Sequence, residues 1–428
     1  MIAHEAEAWE QLQSRMLGEL RQMMEAAGGM QNGEAVEAAV QRWVRTTGAR
    51  VMAALTQEAI AHQERAQLPG CCGAGMRLHS YQHRQVTTLL GTVRLRRRYY
   101  RCLECGKSRY PGDAWLGWKD GFSFGVEEVV AWECAARPYR EAVASLEKLA
   151  GVVVSMHAAQ EIVARWGEAE LELAPYAERV EKDLVIELDG TTAHLQEGWK
   201  EVKVATCFSW DCTAPERAPE AVSYVADWRS AEEFRALVDQ EALVRGAALA
   251  RSQAVLGDGA VWVWEIASHL FPRAVQILDW YHLAEHLWEA ARVVHGEGTE
   301  PTQRLAERWK TEVWEGRSEG VEEHLRELVS RGQDDAKSTL RRCADYLQTH
   351  QHRLRYPLFR AAGWPTGSGV VEGACKQVVG LRFKRKSTRW SRAGGRAVLH
   401  LRVDRLSQRW PLRLASARRT LLDLRQAA

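Results

Sequence analysis

The sequence predicts a mixed α/β protein whose core lies between helical regions. Five short apolar runs of strand length occur between residues 184 and 278, and helical runs follow the third, fourth and fifth of them. Residues 4–66 and 296–362 keep a helical period instead. With 428 residues the chain is long for a single core, so two to four domains are expected.

The predicted core elements follow the order βββαβαβα. The first three strands could pair as a meander. Ser230 and Glu233 form a capping box for the first helix, and Asp279 can cap the last helix, which begins at Trp280. The predicted strands are 184–188, 200–208, 221–225, 252–256 and 274–278.

Two stretches before the core are predicted to be helical. In residues 1–66, glycines 28 and 29 interrupt one amphipathic run and Gly48 punctuates the next, and packing or self-association is the expected role. In residues 116–182, two helical runs are joined by a tight turn at Gly151, with Ser155 as a cap. This pair fits a helix-turn-helix that reads DNA, or an ordinary pair of packed helices.

Residues 67–115 contain four of the nine cysteines in two close pairs, separated by two predicted strands. Thiolates on two turns joined by a hairpin are the ligands of a zinc ribbon. Because two of these cysteines are adjacent and cannot easily chelate one ion together, unmetallated thiols are the alternative. The candidate ligands are Cys71, Cys72, Cys102 and Cys105, with His79 or His83 as other choices for the fourth position.

Positive charge is concentrated in two segments, although the net charge is only +2. Residues 376–428 hold fifteen Lys and Arg against two Asp, and a second basic cluster occupies residues 94–101. Segregated positive charge indicates a polyanionic partner, most simply nucleic acid, or else a solvated basic helix face. Trp364, in a loop of turn formers, could stack on an unpaired base or anchor the core. The candidate DNA contacts are Arg96, Arg97, Arg98, Lys384, Arg385, Lys386, Arg389 and Trp364.

Two Asp-Gly pairs close apolar strands of the predicted core. Asp189 follows the first strand, where the chain is expected to turn, and Asp258 follows the fourth. If these strands are neighbours, the two carboxylates lie side by side at the carboxyl edge of the sheet and need a cation between them. Glu372, in the first turn of a predicted helix, would complete an oxygen site for two Mg²⁺ or Mn²⁺ ions. Taken singly, each acid is explained equally well by a turn or a helix start.

The most specific part of the chain is the segment GSGVVEGACK at 367–376, with RWS at 389–391. Together with four core motifs, it resembles the ISKra group of bacterial insertion-sequence transposases over about residues 70–410. Those motifs are LDGT (188–191), GWKEVKV (198–204), LGDG (256–259) and DWYH (279–282).

The resemblance implies an α/β catalytic core of ribonuclease-H-like type with an all-helical insertion. It implies that Asp189, Asp258 and Glu372 hold two Mg²⁺ or Mn²⁺ ions for DNA cleavage and strand transfer. The implied partners are double-stranded DNA, as terminal inverted repeats and target, and a second copy of the chain or more. Asp279 and His282 are implied near the site, and Lys376, one turn beyond Glu372, could meet a DNA phosphate or pair with Glu372.

Two other functions fit parts of the sequence. His282, Glu285 and His286 have the spacing of the inverted zinc-peptidase motif, His-x-x-Glu-His. That function leaves the Asp-Gly strand ends and the basic tail unexplained. A non-catalytic DNA-binding protein would use the cysteine module, the helical pair and the tail.

These patterns divide the chain into six regions. No apolar run approaches the length of a membrane span and the N-terminus lacks a signal-peptide pattern, so a cytoplasmic bacterial location is expected, at the nucleoid when DNA is bound. The regions are a helical N-terminal region (1–66), a zinc-ribbon-like DNA-binding module (67–115), a helical segment (116–182), the first part of the core (183–295), a helical insertion (296–362), and the Glu372 helix with the basic tail (363–428).

Overall fold

The structure is a computed structural model that describes residues 2–66, 70–72, 74–118, 120–169, 171–174, 182–331, 334–385 and 388–426. The chain forms two compact units, one of Met1–Trp166 with Leu414–Ala428 and the other of Gly167–Arg413. In the described part of the chain, no helix is long and apolar enough to cross a membrane.

The first unit contains helices and a small antiparallel sheet. Helices α1 (Ile2–Ala27) and α2 (Gly33–Ala66) are separated at the predicted glycines. The predicted punctuation at Gly48 is wrong, because α2 continues through this glycine, which lies against Leu90. The sheet has the order β1-β2-β3-β4, formed by β1 (Gly70–Cys71), β2 (Ala74–Thr88), β3 (Gly91–Cys102) and β4 (Ser108–Arg109).

Helix α2 packs on this sheet and also closes its edge. Ile60 of α2 is buried with Val86 and Leu95 of the hairpin. The side-chain amide of Gln57 makes two hydrogen bonds with the backbone of Arg96. It accepts from the N–H at 2.7 Å and donates to the carbonyl at 2.9 Å. This pairing replaces a missing neighbouring strand.

Four further helices complete the first unit before the chain leaves it. The second and third of them, α4 and α5, pack together, and Ser155 caps the fourth, as predicted, by accepting from the N–H of Ala158 at 3.1 Å. The predicted helix, turn and helix are therefore present, and a DNA-reading role for them stays a prediction. These helices are α3 (Pro111–Leu116), α4 (Phe124–Ala136), α5 (Tyr139–Ala150) and α6 (Met156–Glu168).

The second unit is built on a five-stranded mixed sheet with the order β7-β6-β5-β8-β9. Strand β5 pairs antiparallel with β6 and parallel with β8, and β8 pairs parallel with β9. The observed succession of elements matches the predicted βββαβαβα. The strands are β5 (Asp183–Leu195), β6 (Gly198–Trp210), β7 (Glu220–Asp227), β8 (Gln253–Gly257) and β9 (Val275–Leu278), and the helices are α7 (Ala231–Val244), α8 (Val261–Leu270) and α9 (Trp280–His295).

One expectation about the first core strand is wrong. The chain does not turn after Asp189, because β5 continues to Leu195 and pairs with β6 residue by residue up to Gly198. The pairing of β5 with β8, in contrast, ends at Leu188. Asp189 therefore lies where β5 leaves its parallel neighbour while it is still held by its antiparallel one.

Helices α10 to α13 follow α9 and cover one part of the core. Aromatic rings join these helices to α9, since Trp280 lies 4.6 Å from Trp314 and 5.1 Å from Tyr356 between ring centroids. The buried Tyr356 hydroxyl also donates to the carbonyl of Leu278 at 3.0 Å. The helices are α10 (Glu300–Trp314), α11 (Ser318–Arg331), α12 (Asp334–His350) and α13 (Tyr356–Ala361).

The chain then returns to the sheet as one irregular helix. Helix α14 (Gly369–Ala374) continues through a π-helical turn (Cys375–Gly380) into the short α15 (Leu381–Phe383). Helices α16 (Arg392–Leu406) and α17 (Trp410–Gln426) complete the chain. Because π-helical turns are uncommon and occur often at functional sites, this segment is of particular interest.

Candidate functional site

Four cysteines gather at one end of the small sheet. The sulfur atoms of Cys71, Cys72, Cys102 and Cys105 all lie within 4.8 Å of one another and could hold a metal ion. Among the residues that the structure describes, no other group of three or more candidate ligands satisfies this spacing. The sulfur of Cys71 lies 3.2 Å from that of Cys105, and the sulfur of Cys72 lies 3.6 Å from that of Cys102.

The adjacent cysteines both reach this cluster, contrary to the expectation that they could not easily do so. Cys72 adopts a left-handed backbone with φ 41°, and its sulfur lies beside that of Cys102. Cys105 is prepared for metal binding in another way. The backbone N–H of Lys107 donates to its sulfur and, with the Cys71 thiol, lowers the pKa of Cys105 to about 7.

Two predicted acids meet at the carboxyl edge of the large sheet. The last parallel pair between β5 and β8 joins Leu188 and Gly257, so Asp189 and Asp258 are the next residues on the two strands. Neighbouring strands lie about 4.8 Å apart, which brings the two side chains to the same edge. The prediction that the strands before Asp189 and Asp258 are neighbours is therefore confirmed.

The surroundings of Asp189 disfavour its charge. Burial raises the pKa of Asp189, the negative charge of Asp258 raises it further, and hydrogen bonds and His282 oppose these effects. Its carboxylate accepts from the N–H of Gly190 at 2.6 Å, and the Cys375 thiol lies 3.4 Å from its Oδ2. Asp258 accepts from the N–H of Ala260 at 3.0 Å.

The third predicted acid lies on the helix that covers this edge. Glu372 is exposed on α14 and pairs with Lys376, with 2.5 Å between Nζ and Oε1. Cys375, which contacts Asp189, stands between them on the same helix. The helix of Glu372 therefore contacts the strand of Asp189, while the carboxylate of Glu372 itself is ion-paired with Lys376.

Asp279 lies at the same edge but is already saturated with hydrogen bonds. Its Oδ1 caps α9 by accepting from the N–H groups of Tyr281 at 2.6 Å and His282 at 3.0 Å. Its Oδ2 accepts from the N–H of Ser368 at 2.7 Å and also from the Ser368 hydroxyl. Asp279 thus joins the start of α9 to the start of α14, and both of its carboxylate oxygens are used in these structural hydrogen bonds.

Sequence reasoning missed Glu187, which is 1% exposed and lies two residues before Asp189 on the same face of β5. Its Oε2 accepts from the N–H of Val371 at 2.7 Å. Burial raises the pKa of Glu187 to about 8 against the effect of this hydrogen bond, and the charges of Asp279 and Asp189 also raise it. A glutamate inside an otherwise apolar strand was the available signal, because such a residue is rarely buried without a partner.

Among the described residues, the three residues of the peptidase-like motif do not form a group of three ligands close enough to share a metal ion. His282 and Glu285 are exposed, whereas His286 packs on Tyr346 with 4.3 Å between ring centroids. Burial lowers the pKa of His286. His282 instead acts electrostatically on Asp189, which agrees with its predicted place near that acid.

The predicted basic contacts fall into two groups. Arg97 pairs with Asp113, and Arg98 pairs with the buried Glu64 at 3.3 Å, so both arginines serve the fold of the first unit. Arg96 is exposed and lies over the ring of Tyr81 at 3.8 Å. In the tail, Lys384, Arg385 and Arg389 are exposed, Lys384 donates to the Thr191 hydroxyl at 2.6 Å, and Lys386 lies outside the described residues.

The proposed stacking role of Trp364 conflicts with its surroundings. This side chain is 8% exposed and belongs to the main core of the second unit. The preceding Gly363 lies against the backbone of Cys212, and its carbonyl accepts from the Trp210 indole at 2.9 Å. The predicted loop of turn formers is therefore anchored, and the ring of Trp364 packs in the interior as the alternative prediction expected.

Comparison with known proteins defines the family. The sequence profile of UPF0236, an uncharacterised protein family, matches residues 29–409, so the chain belongs to this family. A search of curated proteins gives no match. The matched region includes the four cysteines, the carboxylate edge and the helix of Glu372.

Proposed function

We propose that the chain is a DNA transposase that cleaves DNA strands and transfers them at the ends of an insertion sequence. The observation that carries this proposal is the register of β5 and β8, which sets Asp189 and Asp258 side by side at the carboxyl edge of the sheet. The helix of Glu372 packs against the same strand through Cys375. This strand order with acids at these positions supports a core of ribonuclease-H-like type, and the motif at 367–376 supports the ISKra resemblance.

The donor set at the carboxylate edge suits a hard divalent cation. Asp189 and Asp258 offer only oxygen ligands, and their mutual repulsion is the kind of energy that a bound cation removes. Asp189, Asp258 and Glu372 would hold the ions, and Glu372 would exchange its ion pair with Lys376 for this role. When bound, two Mg²⁺ or Mn²⁺ ions would supply activation of a water or 3′-hydroxyl and support for the leaving oxygen.

The remaining residues of the edge would bind and orient the DNA. Lys376 and Lys384 are both exposed. Lys376 lies one helical turn beyond Glu372, and Lys384 bonds Thr191, two residues after Asp189. Both would contact phosphates once released from these partners. His282 places a ring beside Asp189 and favours the ionised form of that acid. In this proposal the two lysines hold the phosphodiester, and His282 helps to keep Asp189 charged.

We also propose that the four cysteines hold one structural zinc ion in a DNA-binding module. Tetrahedral zinc with sulfur at about 2.3 Å requires sulfur pairs about 3.8 Å apart. The pair Cys72 and Cys102 is at 3.6 Å, and the pair Cys71 and Cys105, at 3.2 Å, would open slightly around the ion. Arg96, exposed on the outer face of the hairpin, would contact the DNA backbone. Replacing Arg96 with Ala should weaken DNA binding and reduce its salt dependence by about one phosphate contact, in a titration at several salt concentrations. In contrast, Arg98→Ala should destabilise the fold, because Glu64 loses its partner.

Strand cleavage by the pure protein tests the proposal. The substrate is a DNA fragment that carries the inverted repeats flanking the gene, incubated with Mg²⁺ or Mn²⁺. Asp189→Asn and Asp258→Asn should each reduce cleavage by on the order of 1,000-fold while DNA binding persists. Asp239→Asn, at an exposed position on α7, serves as the matched control and should cleave normally. DNA binding by the unmutated protein without any strand cleavage would favour a non-catalytic DNA-binding protein.

A further inference from the structure

The start of α14 lacks the cap that its sequence offers. Ser368 is the residue before the helix and has the hydroxyl that usually accepts from the second or third N–H of a helix. Here that hydroxyl donates to Asp279 instead, and it makes no cap hydrogen bond. The N–H groups of the first turn therefore need an acceptor from elsewhere.

Glu187 supplies that acceptor from the sheet. Its Oε2 lies 2.7 Å from the nitrogen of Val371, and its carboxyl also accepts from the N–H of Val370. These are the second and third residues of α14, which begins at Gly369. A side-chain oxygen that accepts from the free N–H groups of a first helical turn is stabilising, so Glu187 performs across the fold what an N-cap performs locally.

The same helix touches β5 at a second point. Three residues beyond Glu372, the thiol of Cys375 lies 3.4 Å from Oδ2 of Asp189. The two contacts, Val371 with Glu187 and Cys375 with Asp189, lie on either side of Glu372 along the helix. Because β5 carries both Glu187 and Asp189, the helix is registered against the strand that bears the first predicted acid.

We propose that Glu187 is a positioning residue that caps the helix of Glu372 from β5 and so fixes the place of Glu372 relative to Asp189. This inference rests on the proposed function, since it assumes that Glu372 and Asp189 hold the same ions. Glu187 itself contacts backbone N–H groups and is not a ligand. It acts through Glu372, and its removal should loosen that helix and weaken the metal site.

Three variants of Glu187 separate this role from a general effect on stability. Glu187→Asp shortens the side chain by one methylene, which withdraws the carboxyl from Val371, whereas Glu187→Gln keeps an acceptor oxygen at full length. Glu187→Leu removes the acceptor. The matched control is Glu241→Asp, because Glu241 is also buried, on α7, and accepts from the Ser223 hydroxyl at 2.6 Å.

Two measurements are made on the full chain without DNA. Electron paramagnetic resonance gives the affinity for Mn²⁺, and hydrogen exchange by mass spectrometry gives the protection of peptides from residues 369–383. Glu187→Asp and Glu187→Leu should weaken Mn²⁺ binding by about 10-fold to 100-fold and speed exchange in 369–383. Glu187→Gln should stay within about twofold of the unmutated protein, and Glu241→Asp should keep its Mn²⁺ affinity.

The outcomes distinguish the inference from the proposed function. Unchanged Mn²⁺ affinity and exchange in Glu187→Asp would overturn the inference while the proposed function stands. Loss of Mn²⁺ in Glu187→Gln as complete as in Asp189→Asn would also overturn it, because Glu187 would then be a ligand. If the unmutated protein binds no Mn²⁺, the proposed function fails, and the exchange of 369–383 still decides whether Glu187 caps the helix.

Discussion

In the cysteine cluster four sulfur atoms lie within 4.8 Å of one another, whereas the three acids come from two strands and a distant helix and are less closely gathered. Cys71 and Cys102 end strands of one small sheet, and Cys72 and Cys105 lie in the turns that follow, so local strand pairing brings the four together. The helix of Glu372 contacts Asp189 through Cys375, while the carboxylate of Glu372 itself pairs with Lys376.

The difference follows from the chemistry of the ligands. A thiol can donate a hydrogen bond to a second sulfur, so sulfur atoms can approach one another, as those of Cys71 and Cys105 do at 3.2 Å. Carboxylates repel, and the raised pKa of Asp189 records that repulsion together with burial. A sulfur site can therefore be formed in advance, whereas an oxygen site for divalent ions is completed by the ions and their substrate. The following predictions separate these two kinds of site.

The largest effect is expected at the cysteines. The pure protein should carry one zinc ion per chain, and Cys102→Ser should lose it, since zinc binding to cysteine sites involves on the order of 10 kcal/mol. Metal analysis and hydrogen exchange of residues 70–109 provide the measurement. Cys212→Ser, half-buried in the second unit, is the control and should retain the ion. A fully folded protein that contains no zinc would contradict the claim that the cysteine cluster is a preformed metal site.

Removal of a core aromatic of the second unit should have the next largest effect. Trp364→Ala should destabilise the second unit by about 3–5 kcal/mol, because a large buried ring is lost from its core. Denaturant titration followed by hydrogen exchange measures this change. Trp364→Phe should keep the fold and the DNA affinity. A folded Trp364→Phe protein that has lost DNA binding would restore the base-stacking role.

Acid should weaken the second unit through His350. Burial of this ring, with the charge of Arg353, lowers the pKa of His350 to about 4, so the folded chain keeps it neutral. Between about pH 6.5 and 4 the unfolded chain binds the proton and the folded chain does not, so stability is present above this window and declines through it.

The effect of His350 should be on the order of 2 kcal/mol at pH 4. His350→Gln should flatten the dependence of unfolding free energy on pH across the window, although the loss of its contact with Arg353 lowers stability overall. Denaturant titrations at several pH values measure both quantities. His269→Gln, at an exposed position, is the control, and an equal flattening there would refute the assignment to His350.

The smallest effect is expected at Lys376. Lys376→Met releases Glu372 from an exposed ion pair, so Mn²⁺ affinity should rise by about twofold. The comparison is Arg304→Met, which breaks a similar exposed pair with Glu300 on α10 and should leave Mn²⁺ affinity unchanged. Weaker Mn²⁺ binding in Lys376→Met would mean that the lysine supports the site rather than competing for Glu372.

Much of the fold was predictable because local patterns determined it. The capping box at Ser230 and the cap at Asp279 both form as predicted, and the succession of strands and helices along the chain follows the apolar runs. Local patterns failed where distant residues decide the structure. Asp189-Gly190 reads as a turn, yet thirteen paired residues of β6 hold β5 straight through it. Gly48 reads as a break, yet packing against Leu90 keeps it helical.

The sequence pointed to the three acids of the candidate site but not to the residues that hold them in place. Asp189, Asp258 and Glu372 are visible as residues next to turn formers or a helix start. Glu187 acts through backbone groups 184 residues away, and no local pattern contains that partner. The π-helical turn after Glu372 was equally hidden, because it depends on how the helix packs against β5.

A crystal of the protein grown with Mn²⁺ and measured at the manganese absorption edge would test the central claim most directly. The account predicts anomalous density for manganese bounded by the carboxylates of Asp189 and Asp258, with Glu372 turned from Lys376 toward it. Manganese density at His282 and His286, with none between the two aspartates, would contradict it.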